Sequence, residues 1–252
     1  MRKLTSLLYK DLYLNRFTYI AILACGIVFE NLSLIMTFFG NASDGIDMSE
    51  NGAILSVFDL LGMLVAFFFM QSLTKALLSS DENKAWASFI ISTPATSKYQ
   101  VLAKYESTLI LNFSLYVLSL IIFAAHDIIC PPTVSVSGLL PLFLCYNLII
   151  FAIEAPFMFR FTTKYADAAR IAPILLLFFI IVVYLLFGDI SFLSGEMDSF
   201  IDAFFDILSG KRESKVLTLI SAVTPFVTII LYVASYKISC KLYRKGVESY
   251  AK

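Results

Sequence analysis

Charge is scarce in this 252-residue chain: Asp, Glu, Lys and Arg make up 15% of it and apolar residues 59%, where soluble domains average about 25% and about 45–50%. An ordinary water-soluble fold is excluded. Histidine occurs once, which rules out HExxH and the His-rich sites that zinc chemistry uses. The four cysteines, Cys25, Cys130, Cys145 and Cys240, are too scattered for a disulfide framework or a CxxC metal site and read as structural. A phosphate-binding loop needs GxxxxGK[ST]. The only Gly-Lys pair is Gly210-Lys211, with Phe205 where the first Gly belongs and Arg212 in place of Ser or Thr. Neither a GxSxG elbow nor a paired intramembrane Asp motif is present. Repeats, low-complexity tracts and Gly/Ser linkers are missing too, so residues 1–252 read as one domain.

Long apolar runs fill the chain instead. Residues 17–40, 53–78, 105–126, 135–159, 168–188 and 216–238 each reach the roughly 20 residues that span a bilayer core of about 30 Å. Together they take up more than half the sequence and leave no room for a soluble catalytic domain of about 100–150 residues. The fold expected is an all-α membrane protein of six spans. Sixteen residues, Asp11 among them, precede the first run, which is longer than a signal-peptide core, so it reads as a retained span.

Net charge is zero, but its distribution is lopsided. Of the 19 Lys and Arg, all but Lys211, Arg212 and Lys215 fall in the N-terminus, the second-to-third connection, the fourth-to-fifth connection or the tail. Lys and Arg near span ends mark the cytoplasmic side, so both termini are expected inside.

Leu4, Leu7, Leu8 and Leu12 form one stripe at helical spacing, with Lys10 and Asp11 off it, as in a short helix lying in the inner interface. A plain basic tail obeying the charge rule is the other reading. Between spans two and three, Ser80 followed by Glu82 and Asn83 can cap a helix whose Trp86, Phe89 and Ile90 share a face, and Pro94 ends it. Such a face needs a cover, either another protein or the lipid interface. In the last outer connection, 189–215, Leu193, Met197, Phe200, Ile201, Phe204 and Leu208 recur at helical spacing. Asp198, Asp202 and Asp206 line another face, giving an amphipathic acidic helix closed near Gly210. Pro141, Pro156, Pro173 and Pro225 lie in or at the ends of spans, where they shape or kink helices.

Charged groups inside a span cost about 2.5–3.5 kcal/mol on insertion scales. Glu30 and Asp59 fall toward the outer parts of spans one and two, where they can share a polar pocket suited to a cationic or amphipathic passenger. Burial as structural acids is the competing reading. Glu106 and Glu154 lie near inner ends, within reach of Lys104 and Arg160 as ion-pair partners. His126, Asp127 and Cys130 read as solvated loop residues.

Six spans with inner termini, a basic interfacial helix, a cytoplasmic helix after span two and a helical insertion before span six resemble the type-2 ABC exporter permeases. Two patches carry the likeness. Leu8-Tyr9-Lys10-Asp11-Leu12 precedes span one. Asp81-Glu82-Asn83-Lys84-Ala85-Trp86 runs to Ser92-Thr93-Pro94-Ala95-Thr96-Ser97-Lys98 and Val101-Leu102-Ala103-Lys104-Tyr105, similar to the family's acidic-start, Leu-Pro, Lys-Tyr signature with Thr93 in place of Leu. The nearest likeness is to small bacterial permeases such as those of phenol-soluble modulin exporters.

The resemblance implies that 81–98 holds a coupling helix docking on a separate ABC ATPase. Trp86 and Phe89 would be its anchors, Asp81, Glu82 and Lys84 its rim charges, and Pro94 and Lys98 its closing residues. Lys10 and Asp11 would belong to the interfacial helix, and Glu30 and Asp59 would be candidates for the translocation path. It further implies a second permease chain, identical or paralogous, an amphipathic peptide cargo and a bacterial plasma membrane. No nucleic acid and no cofactor on this chain are expected, with ATP and Mg held by the partner. An ion-coupled secondary transporter and a non-transporting immunity or anchor subunit are the alternatives.

Overall fold

The computed structural model describes residues 2–32, 35, 52–79, 97–129, 137–161, 165–169, 171, 175, 179 and 215–250. These are α1 (Arg2–Leu14), α2 (Arg16–Glu30), α3 (Gly52–Ser79), α4 (Ser97–Ile129), a 3-10 turn (Ser137–Leu139) leading into α5 (Leu140–Arg160), and α6 (Lys215–Tyr250). Among the described residues all regular structure is helical. Helices α3, α4, α5 and α6 are each long and apolar enough to cross a membrane, and α1 with α2 would make a fifth span if that bent pair is counted as one. This is a multi-pass membrane protein. The expected span at 168–188 lies outside the described residues apart from single positions. The acidic helix at 189–215 lies outside them except for Lys215, which opens α6.

Local chemistry sets the breaks. Helices α1 and α2 meet at 62° around Asn15, whose Nδ2 donates to the Asp11 carbonyl at 2.9 Å, one of the four that a helix end leaves open. Pro141 sits in the first turn of α5, where its missing N–H costs nothing. Arg160 closes that helix, a cation at the negative end of the dipole.

Small residues bring α2 and α3 together. A Cβ on Gly62 would lie 2.3 Å from the Phe29 carbonyl oxygen, and one on Gly26 would meet Ala66 and Leu115 at 3.5 Å. Backbones approach this closely in membranes because lipid gives helices no hydrophobic reason to associate, leaving packing and hydrogen bonds to do it. One apolar core joins Ile22, Met63, Phe67, Met70, Leu111 and Leu115 across α2, α3 and α4. A second joins Leu78, Val101, Tyr105, Phe151, Met158 and Tyr243 across the end of α3, the start of α4, α5 and α6.

The amphipathic helix differs from its expected form. Asp11 is not on an outward face: it is buried and pairs with Lys10 at 2.8 Å. The cause is that α1 packs along α4, which covers a second side of the helix besides its leucine stripe.

Candidate functional site

Two polar assemblies tie the helices together. Nearer the carboxyl end of α2, Glu30 is fully buried and its Oε1 accepts from Ser119 Oγ of α4 at 2.6 Å. Its Oε2 has no hydrogen-bond partner among the described residues. Asp59 of α3, also buried, lies 3.7 Å from His126 Nδ1. Asn31 commits its Nδ2 to the Ile27 carbonyl at 2.6 Å, so its Oδ1 accepts from His126 Nε2 at 3.1 Å. Between Arg16 and Lys75, and between Lys104 and Arg160, the chain has no Lys or Arg at all. The structure therefore brings the two predicted acids, Glu30 and Asp59, into one three-helix assembly whose one basic neighbour from those stretches is an imidazole.

His126 corrects an expectation. It is not a solvated loop residue but a buried one, because α4 continues to Ile129 and carries the ring between α2 and α3. Among the described residues no three of His, Cys, Asp and Glu converge as a metal ion would require.

The second assembly lies at the opposite, cation-bearing end. Lys104, 2% exposed, donates from Nζ to the Leu77 carbonyl at 2.6 Å, within the last turn of α3 where carbonyls lack helical partners. The bond reaches across to α3 rather than along α4 to Glu106. Arg160 places its guanidinium 5.7 Å from the Phe161 ring centroid rather than on Glu154, which is itself buried. An i,i+6 reach along α5 points the two side chains to different faces. Lys75 pairs with Asp167 at 2.6 Å.

Beside Lys104, the Tyr105 hydroxyl lies 2.6 Å from Ser235 Oγ and 2.8 Å from Ser239 Oγ of α6, while Tyr232 Oη donates to the Tyr105 carbonyl at 2.7 Å. Ser235 Oγ donates to the Ala152 carbonyl at 2.6 Å, the carbonyl that Pro156 deprives of its helical N–H. Phe151, Tyr232 and Tyr236 pack edge-on around the Tyr105 ring, with centroids 5.0 to 5.5 Å away. An apolar groove lined by Pro156, Phe157, Phe161, Leu231 and Ile238 runs beside this cluster. Midway between the assemblies, Asn147 Nδ2 reaches the Phe67 carbonyl at 3.1 Å and Asn112 Oδ1 at 3.2 Å, bridging α5, α3 and α4.

Residues 6–244 match the family model described as ABC-2 family transporter protein. The chain belongs to the ABC-2 transporter family. No curated protein and no solved structure matches it. In this ABC-2 membrane protein the docking residues expected from the sequence, Asp81, Glu82, Lys84, Trp86, Phe89 and Pro94, lie outside the described residues, whereas Lys98 falls in the first turn of α4. Lys10 and Asp11 pair in α1. The sequence reading missed the Tyr105–Ser235–Ser239 network. Its one visible signal was a proline, Pro156, whose freed carbonyl had to find a donor.

Proposed function

We propose that the chain is the permease subunit of an ATP-driven exporter, working as a pair of permease chains with two separate ATPase subunits and carrying amphipathic peptides. The observation that supports this reading is the family match along 6–244 on a chain with no phosphate-binding loop: a transporter of this kind takes its ATP and Mg from another polypeptide. On this reading residues 81–98 dock on the ATPase, with Trp86 and Phe89 as anchors, Asp81, Glu82 and Lys84 at the rim, and Pro94 and Lys98 closing the segment. Two buried carboxylates at Glu30 and Asp59 give a cationic group on the cargo a counter-charge once α2 separates from α3 and α4.

The test is co-purification. Trp86→Ala with Phe89→Ala should abolish binding to the ATPase, or its stimulation, while the chain still inserts in the membrane; an undisturbed complex overturns the docking assignment. One observation favours a second reading, an ion-coupled carrier: the same buried acids would serve as ion sites. Uphill transport by the chain reconstituted alone would establish that reading against the first.

A further inference from the structure

Two adjacent residues near the start of α4 tie it to the other helices. Lys104 holds the last turn of α3, the helix that enters the connection, and it does so from α4, the helix that leaves it. Tyr105 holds α5 and α6.

The proton order in this network is fixed by counting. Ser235 has one hydroxyl proton and gives it to the Ala152 carbonyl, so Tyr105 must be the donor to Ser235. With its own proton committed, Tyr105 accepts from Ser239. The chain Ser239 to Tyr105 to Ser235 to Ala152 therefore runs one way and ends on the carbonyl freed by Pro156. Tyr232 adds a fourth bond, donating to the backbone carbonyl of Tyr105 itself. Ser239 is fully buried, and Tyr105 and Lys104 are each 2% exposed, so neither lipid nor water competes for these bonds.

We propose that Lys104 and Tyr105 are positioning residues that make the last turn of α3, the first turns of α4, the turn of α5 before Pro156 and the middle of α6 move as one rigid body, so that a force applied to the 80–96 connection reaches α5 and α6. The linkage is a property of this chain alone. Its use in transport rests on the permease reading above.

The linkage is tested in the full chain, cysteine-free, in lipid nanodiscs, with spin labels at Tyr99→Cys on α4 and Lys241→Cys on α6, both exposed positions. The parent should give a single narrow distance distribution. Tyr105→Phe, which keeps the ring and removes the hydroxyl, should broaden or split it, and Lys104→Met should do the same for a label pair joining Tyr99→Cys to Ala76→Cys on α3, with Lys104→Arg restoring the narrow peak. Distributions as narrow as the parent's in Tyr105→Phe and Lys104→Met overturn the proposal, including the case where only the melting temperature falls, which is what a merely stabilising role predicts. Should Tyr105→Phe fail to insert, Ser239→Ala is judged by the same criterion. With the ATPase subunit bound, Tyr105→Phe should hydrolyse ATP yet lose nucleotide-dependent movement of α6. An ATPase that never binds overturns the permease reading, while the rigid body still stands or falls by the label widths.

Discussion

Gly62→Ala adds a single carbon at the tightest point in the bundle. Helix propensity alone favours the change by about 1 kcal/mol, since glycine is the poorest helix former after proline. Sterics oppose it. The new Cβ would stand 2.3 Å from the Phe29 carbonyl oxygen, 2.8 Å from its carbon and 3.1 Å from Glu30 Cα, against 3.4 Å for an ordinary contact. All three neighbours are backbone, so no side chain can rotate away, and α2 must retreat by about 1 Å to restore normal packing. A retreat of that size is enough to open the 2.6 Å bond from Ser119 to Glu30. Overpacking costs about 1–3 kcal/mol and a lost bond to a carboxylate about 1.5–3 kcal/mol, together about 2.5–6 kcal/mol, so after the propensity gain the clash wins by about 1.5–5 kcal/mol. Gly26→Ala is the control: its Cβ would meet Ala66 and Leu115 at 3.5 Å, ordinary contact, so propensity decides and stability should hold or rise. Reversible unfolding in mixed micelles, titrated with SDS and followed by circular dichroism, measures both. Equal stability of Gly62→Ala and the parent, or equal losses in the two variants, would refute the reasoning.

Ser119→Ala should cost about 1.5–3 kcal/mol in the same titration by removing the donor to Glu30 Oε1, and Ser119→Thr should recover most of it. Ser235→Ala strands the Ala152 carbonyl and should cost about 1–3 kcal/mol; combined with Pro156→Ala, which returns an N–H to that carbonyl, the penalty should shrink, and strictly additive losses would deny the link. Lys75→Met and Asp167→Asn should each change stability by less than about 1 kcal/mol, because the pair is about a third exposed and such pairs contribute little. If Glu30 and Asp59 meet a cationic cargo, Glu30→Gln and Asp59→Asn should lower export while the assembled complex survives; unchanged export rates would make both acids structural.

Hydropathy announced α3, α4, α5 and α6 within a few residues of their apolar cores, because crossing lipid demands length and apolarity and little else. What one sequence could not give was the register between helices. Lys104 looked like a partner for Glu106, two residues away, yet its ammonium donates to a carbonyl in the last turn of α3, twenty-seven residues upstream. Asp11 looked solvent-facing from its stripe alone, because nothing local says that α4 will lie along the same helix. His126 looked like loop because the apolar run stops there, while the helix itself goes on for three residues, to Ile129. Pairings across helices are fixed by packing geometry, and a linear pattern encodes only which face of each helix is greasy.

The sole imidazole of the chain, closed in where α2, α3 and α4 meet, has a practical use. Acylation by an aqueous histidine reagent would report the parting of those helices at one site, without an engineered tag, and the same ring would give a single, unambiguous resonance in an imidazole-selective NMR spectrum. The protein carries its own sensor for the opening of that seam.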